Sequence, residues 1–384
     1  MNESGSSGFY GLFLLRAEAV KHKNLSPFMK SGFPKSIFFS LILLSLPVFT
    51  FSQQEQTAQI IRKMVRAAQT TAYAGDWITE TDTTRTWQKI YQDSTGKRFI
   101  QYILPLSLLG REIVQIPPAI YIRRKGTPKF RKRADLFQDR LFSGPSSDQQ
   151  LDLLFRNYDV SLTKGRKFLG RKTRLLAFNP RTKDRAGIKV LLDQKTDLPL
   201  HIEKLSISGK IIQRSYFKNL LIGPVLDPAL FTILPGQIDS ARAVRCRTFT
   251  TVKSLQKEVS FAIYLPRWTP DGFRLKTIRL IQFHKKNVVH FIYFDGLSTL
   301  SLFERKAKMS LRKKMPPAPG FHKGFLEYRK NRGRLRLILM GDVDSASMEK
   351  MLGLLGSKTI SSESSRKIVF LVGFVVIALV IMIQ

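Results

Sequence analysis

Cysteine is nearly absent: the 384-residue chain has one, Cys246. A single thiol cannot close an internal disulfide, so the fold has to stand on a hydrophobic core in whatever compartment it works. No catalytic partner is placed beside it, and it reads as a buried, inert thiol. Histidine is scarce too. His22, His201, His284, His290 and His322 are scattered, which gives no metal-ligand spacing and no base beside a nucleophile. Nucleophile elbows of the G-x-S-x-G type and H-E-x-x-H helices do not occur. Gly165 to Thr173, GRKFLGRKT, comes near a phosphate-binding loop. It has one residue too many before its Lys-Thr and lies between strand-like runs, so it reads as a hairpin. These absences point away from an enzyme and call for no cofactor and no metal.

Acid is the other shortage. Only 28 Asp and Glu stand against 64 Lys and Arg, leaving a net charge of +36. Such a field favours anionic partners, namely phospholipid headgroups, lipopolysaccharide or nucleic acid, although charge spread along a chain can also serve only to solubilise an exposed sheet face. No RNA- or DNA-binding motif accompanies the charge, which sets nucleic acid aside.

What is present starts with apolar content. At 43% hydrophobic residues the chain can build real cores, and its length leaves room for two domains plus targeting segments. Residues 1–28 have no clear pattern. From Met29, a charged start with Lys30 and Lys35, an apolar stretch from Ile37 to Leu46 and the small residues Thr50 and Ser52 form a secretory signal layout. Translation is expected to start at Met29, and an uncut signal would act as an N-terminal anchor. At the other end, 368–383 is uninterrupted apolar sequence after Arg366-Lys367. At about 1.5 Å per residue it spans roughly 24 Å, near the lower limit for crossing a bilayer. The expectation is a C-terminal transmembrane helix, with a buried core helix as the alternative. Export would leave Arg366 and Lys367 outside, against the positive-inside preference, but two charges are a modest bias. The protein is therefore expected in the periplasm, anchored in the inner membrane.

Between the two ends, Ile60, Ile61, Met64, Val65 and Ala68 share one helical face. Strand-like runs follow at 72–81, 86–92, 97–104, 111–116 and 119–124, then at 158–162, 173–178, 188–192, 200–207 and 210–217. Ser147 and Gln150 form a capping box before Leu151, Leu154 and Phe155. Gly223, Pro224, Pro228, Pro235 and Gly236 mark a linker, and Lys306 to Gly320 reads as a mobile basic loop. Ser345 could cap a last helix.

The stretch Val288 to Glu304, VVHFIYFDGLSTLSLFE, organises the second half. Asp295-Gly296 between β-branched and aromatic runs signals a two-residue hairpin turn. That register sets Phe294 opposite Leu297, Phe291 opposite Leu300 and Val289 opposite Leu302, and with Tyr293 it makes a face that must be buried. The other face, with Ile292 opposite Thr299 and His290 opposite Ser301, suits lighter packing. Arg123, Arg124, Lys125, Lys129, Arg131, Lys132 and Arg133 fall in a loop-like basic run. It is either a clamp for a lipid headgroup or a solvated loop.

Several segments carry a resemblance. YAGDW (Tyr73 to Trp77), GREIVQ (Gly110 to Gln115), NYDVSL (Asn157 to Leu162), GRKTRLLAFNP (Gly170 to Pro180) and LLDQKTDLPLHIEKLSISGKII (Leu191 to Ile212) follow in order. LPRWTPDGF (Leu265 to Phe273), FDGLSTLSLFE and RLRLILMGDVDSASMEKML (Arg334 to Leu352) come after them. Together they resemble the RseB/MucB family of periplasmic regulators of sigma-E signalling, over roughly Gln56 to Leu355. The resemblance implies an α+β, mainly β fold: an N-terminal half-open antiparallel β-barrel with helices, LolA/LolB-like and with an apolar cavity, plus a smaller C-terminal α+β domain. The expected divisions are 1–52 extension and signal peptide, 53–222 first domain, 223–238 linker, 239–356 second domain, 357–367 polar spacer and 368–384 anchor. The implied function is to bind the periplasmic segment of a transmembrane anti-sigma factor and release it when anionic lipid or lipopolysaccharide fills the cavity, in a chain that could self-associate. The alternative is a lipid or lipoprotein carrier of the cell envelope. Scaffold alone does not decide between them.

Overall fold

Period-two alternation dominates the chain from Tyr73 onward, and antiparallel strands follow it. The computed structural model describes residues 54–134, 144–145, 147–239, 244–283, 286–306, 325–332, 335–355 and 369–371. Eleven strands form the first sheet: β1 (Tyr73–Glu80), β2 (Arg85–Gln92), β3 (Arg98–Leu104), β4 (Glu112–Ile116), β5 (Ala119–Arg123), β6 (Arg131–Ala134), β7 (Tyr158–Lys164), β8 (Thr173–Pro180), β9 (Gly187–Asp193), β10 (Pro199–Leu205) and β11 (Ile211–Ile222). Their order is β6-β5-β4-β3-β2-β1-β11-β10-β9-β8-β7. Sheet neighbours are therefore chain neighbours everywhere except at β1–β11. The edges β6 and β7 do not pair with each other, so the sheet stays open, as a half-open barrel would.

Helix α1, residues 54–70, lays the expected face of Ile60, Ile61, Met64, Val65 and Ala68 into the core. Helix α2 (Asp148–Asn157) is capped by Ser147, whose side chain accepts from the Gln150 amide, as the capping box requires. Leu151 and Leu154 of α2 join α1 in packing on Phe178, Val190 and Leu192 of the sheet. Further round the same sheet the space is filled by aromatics. Phe217 stands edge-on to Tyr73 and to Trp77, with ring centroids 5.5 and 4.8 Å apart. Gly75 makes this possible, because a Cβ there would lie 2.6 Å from the Asn219 carbonyl and 3.0 Å from the Phe217 ring.

The second sheet has seven strands: β12 (Arg245–Phe249), β13 (Arg274–Phe283), β14 (Lys286–Phe294), β15 (Thr299–Lys306), β16 (Phe325–Arg332), β17 (Leu335–Gly341) and β18 (Val369–Leu371). Their order is β12-β13-β14-β15-β17-β16-β18. Short α3 (Val252–Gln256) and α4 (Ser345–Gly353) accompany them. Met348, Met351 and Leu352 of α4 bury against Leu337 and Leu339 of β17. The cap of α4 is Asp344 and not Ser345: the Asp344 carboxylate accepts from the Ser347 amide at 2.8 Å, and its charge also suits the positive end of the helix.

The expected C-terminal transmembrane helix is overturned. Val369–Leu371, at the start of the apolar run, is a strand paired antiparallel with Phe325–Glu327 of β16. Among the described residues no helix is long and apolar enough to cross a membrane. The inner-membrane anchoring that rested on that helix goes with it. Val-Phe-Leu is strand-forming sequence, and an apolar run does not by itself tell strand from helix. Residues 372–384, the signal segment 29–52 and most of the basic loop, 307–320, lie outside the described residues.

Phe217 has no exposed surface and touches both Tyr73 and Trp77. Phe217→Ala should lower unfolding free energy by roughly 3–5 kcal/mol. Equilibrium urea unfolding checks this through a lower midpoint at unchanged slope.

Candidate functional site

The basic run is only partly loop, since Arg124, Lys125 and Lys129 lie in the connection between β5 and β6. Arg123 ends β5, Arg131 to Arg133 lie in β6, and a turn at Gly126 joins them. Dense charge suggested loop, but the partner strand supplies the hydrogen bonds that make it a sheet edge. Strand pairing sorts the residues by face. Ile122 sits opposite Arg131 and Ile120 opposite Arg133, while Tyr121 sits opposite Lys132. Ile113 of β4 pairs with Ile122. Arg131 and Arg133 thus share the face of the apolar core formed by Ile100, Ile113 and Ile120. Lys132 lies on the other face, its amine 6.0 Å from the Tyr121 ring centroid. Arg123 is also lost to a clamp: its Nε donates to Glu112 Oε2 at 2.8 Å, and its guanidinium lies 4.4 Å over the Phe130 ring.

What the structure brings together is Arg124, Lys129, Arg131 and Arg133, joined by Arg111, around a cavity of about 20 Å³ whose lining also includes Ile122 and Thr127. Arg111 escaped the sequence reading because it precedes the run. The hairpin register could have found it, since Glu112 opposite Arg123 places Arg111 beside Arg124. Crowding of like charge is felt there. Burial pushes the Arg133 guanidinium down to about 10, with Arg131 and Arg124 adding to the effect. Arg111 is lowered by burial too, with Tyr102 opposing and Arg124 reinforcing. No strand position on this face of β1 to β6 is an Asp or Glu; Asp76, Glu80 and Glu112 all fall on the opposite face.

The hairpin of the second sheet is the other place. Its register pairs Phe294 with Thr299, Tyr293 with Leu300 and Phe291 with Leu302. The turn is Asp295-Gly296-Leu297-Ser298, two residues longer than expected. The reason is Asp295: its Oδ1 accepts the Leu297 amide at 2.9 Å and the Ser298 amide at 2.7 Å, closing a side-chain-built turn. A slip of two keeps every side chain on its face, so Phe291, Tyr293, Leu300 and Leu302 are all buried in the core. The opposite face is not lightly packed. His290 and Phe303 are both buried there and stack with centroids 4.1 Å apart.

The turn is driven into the first sheet's helices. Asp295 Oδ2 accepts from the Tyr158 hydroxyl at 2.8 Å and from Arg185 Nη1 at 2.8 Å. All three side chains are fully enclosed. Asn157 Nδ2 donates to the Asp295 carbonyl at 2.7 Å. Gly296 has φ +104, and a Cβ on it would lie 2.4 Å from the Leu154 backbone. Leu297 joins Ile60, Met64 and Leu154 in one cluster. Burial pushes the Asp295 carboxyl up, against the pull of its amide donors, Arg185 and Tyr158. Burial and the Asp295 charge together push the Tyr158 hydroxyl up. Nearby, Lys204 of β10 pairs with Asp342, and the Asp344 amide donates to the Asp184 carbonyl at 2.9 Å.

Beside this junction, a groove of about 360 Å³ runs between α2 and β13, with Leu153, Leu275 and Phe294 as its apolar part and Arg156, Arg274 and Lys276 as its cations. Asp152 is the lone acid in its lining.

Residues 56–239 match the family model of the MucB/RseB N-terminal domain. By this match the chain is similar to the RseB/MucB family. It is similar to the sigma factor AlgU regulatory protein MucB of Pseudomonas aeruginosa, at 23% identity over 269 residues, covering 68% of this chain and 78% of that relative. Its fold is similar to a chain of the Pseudomonas aeruginosa MucA/MucB complex, with a TM-score of 0.52 at 20% identity, covering 77% of this chain and 96% of the other. A LolA superfamily protein from Nitrosomonas europaea matches 44% of this chain at 11% identity and a TM-score of 0.22, too distant to argue from. Within the RseB/MucB family match lie β1 to β11, hence the whole arginine-lined face. The hairpin that docks onto them lies beyond it.

The Asp295 junction gives a direct test. Asp295→Asn takes from the buried Arg185 one of its two carboxylate partners, leaving Asp184 at 2.8 Å, and takes from Tyr158 its acceptor; it should cost roughly 2–4 kcal/mol, whereas Tyr158→Phe removes one hydrogen bond and should cost about 1–2 kcal/mol. Chemical denaturation of both variants checks the order.

A second test concerns pH. Burial, reinforced by Arg279, holds His290 neutral, well below its ordinary value of 6.5. The unfolded chain takes up a proton there as pH falls through that value and the folded chain does not, so stability declines below about pH 6.5, approaching 1.4 kcal/mol per pH unit. His290→Gln should flatten that slope between pH 7.5 and 5.5, read from urea midpoints across the range.

Proposed function

We propose that this chain is an envelope-stress regulator: it binds the periplasmic part of a transmembrane anti-sigma factor and lets go when anionic lipid or lipopolysaccharide occupies the first sheet. The observation that carries the reading is the match of residues 56–239 to the MucB/RseB N-terminal domain, together with a fold similar to a chain solved as the MucA/MucB complex. The curated relative is named as a sigma factor regulatory protein. The site chemistry suits a binding protein: guanidiniums beside apolar surface, and a cationic groove between helix α2 and the second sheet. Export to the periplasm through the segment 29–52 belongs to the same reading.

Release follows from linkage. A lipid that prefers the partner-free state shifts the population by its differential affinity and by no more. The groove between α2 and β13 suits an acidic segment with an apolar residue, since three cations line it against one acid. A lipid or lipoprotein carrier is the competing reading, favoured by the acid-free face of β1 to β6. The anchor that would have counted against a carrier is withdrawn. What still weighs against it is the second sheet locked onto the first, which simple carriage does not require.

Affinity capture of the exported protein from detergent-solubilised envelopes, with proteins and lipids identified by mass spectrometry, tests this. The expected main partner is a single-pass membrane protein of the anti-sigma type, and adding phosphatidylglycerol or lipopolysaccharide micelles should reduce its recovery. Lipid or lipoproteins captured without such a protein would replace the regulator with the carrier.

A further inference from the structure

Five cations around one small cavity need a physical reason. Grouping like charges costs free energy, the more so with Arg133 buried and Arg111, Arg124 and Arg131 half-buried, and a fold that needed only core would continue the Ile113–Ile120–Ile122 surface with aliphatic side chains. The arrangement is also held in place. Strand pairing fixes Arg131 and Arg133 on β6, and the Thr127 hydroxyl donates to the Arg124 carbonyl at 2.8 Å, closing the turn that brings Arg124 and Lys129 to the rim. Arg111 Nε is buried and has no hydrogen-bond partner among the described residues. Roughly 20 Å³ of space is enough for one water or one oxygen atom of a ligand. An anion with several oxygens could seat one there and offer the rest to the rim.

We propose that Arg111, Arg124, Arg131 and Arg133, with Lys129, form a binding site for a phosphate-bearing anion. One phosphate oxygen enters the cavity between the guanidiniums, and the others meet the rim through the planar donor forks that suit phosphate. Where the phosphate carries acyl chains, these pass beside Ile122, the half-buried apolar residue of the cavity lining. Free phosphate and a lipid headgroup share this chemistry. The site rests on the lipid half of the proposed function only for the source of the anion, not for its existence. It also divides the basic run: Arg123 is engaged by Glu112, and Lys132 faces away.

The test compares the full exported chain with Arg111→Gln/Arg133→Gln and with a control of equal charge loss, Lys125→Ser/Lys132→Ser. Thermal melting is followed against inorganic phosphate, and co-flotation against phosphatidylcholine vesicles with and without phosphatidylglycerol. Phosphate should raise the melting temperature of the parent and the control. The arginine variant should show no phosphate shift and bind anionic vesicles about tenfold more weakly or worse. If that variant does not fold by circular dichroism, Arg111→Lys/Arg133→Lys keeps the charge but loses the forks, and should weaken both readouts. Response to vesicles alone, with the same dependence on the arginines, supports the site with lipid as the source; response to phosphate as well makes the phosphate group sufficient. Absence of binding to either probe, or equal losses in variant and control, overturns the site. No partner protein enters the assay, so failure of the regulator reading in affinity capture leaves this result standing.

Discussion

One carboxylate sits where the two sheets meet, and the arrangement of both depends on it. Asp295 uses one oxygen to build its own hairpin turn and the other to receive Tyr158 and Arg185 from the first sheet's side. A buried ion pair is weak evidence for stability in itself, because desolvation offsets much of the attraction. Its effect lies in the alternative. Pulling the turn partway out would strip the enclosed Asp295 of both donors and leave the enclosed Arg185 with Asp184 as its remaining carboxylate. Half-withdrawn states are therefore disfavoured, and the hairpin is in or out. Gly296 sharpens the same choice, because its backbone lies against Leu154 where any side chain would collide.

How much of this was legible depends on how local the cause is. Alternation revealed nearly all the strands of the first sheet, and it assigned Phe291, Leu300 and Leu302 to a buried face although the register was off by two. Faces survive an even slip; partners do not. The turn chemistry was hidden because Asp-Gly serves both a two-residue turn and a longer one closed by the aspartate side chain. The importance of Asp295 beyond its hairpin was not legible at all. Its partner Tyr158 is 137 residues away, and nothing in either segment announces the other. The error at Val369–Leu371 has the same origin, since whether apolar sequence becomes strand or helix was decided by the free edge of β16.

The arginine-lined face shows the opposite failure, in which the composition was read correctly and the structure wrongly. Seven basic residues in eleven positions look like solvated loop, and a loop would scatter them. Paired strands instead sort them by parity, sending Arg131 and Arg133 to the core side and Lys132 outward. Arg123 finds Glu112 in the same way, one strand over. Two-residue periodicity thus gathers part of the basic run on one face, where Arg111, just before β4, joins it.

The two places are joined through one edge of the first sheet. Strand β6, which carries Arg131 and Arg133, is flanked by the segment that leads into the second sheet. Phe130 donates to the Gln237 carbonyl and accepts from the Asp239 amide, both at 2.7 Å, and the Val244 amide reaches the Lys132 carbonyl at 3.5 Å. One residue further, Arg245 begins β12. On the proposed reading, an anion that neutralises the arginines would favour whichever placement of β6 gathers them most closely, and β6 moves only with the backbone hydrogen-bonded to it. Coupling along that path requires two distinct arrangements of β6. The physical requirement is clear: the second sheet is held at one end by Asp295 in the helical core and at the other by β6, so a ligand at the arginines can bias the release of a partner bound across both sheets only if those two attachments do not relax independently.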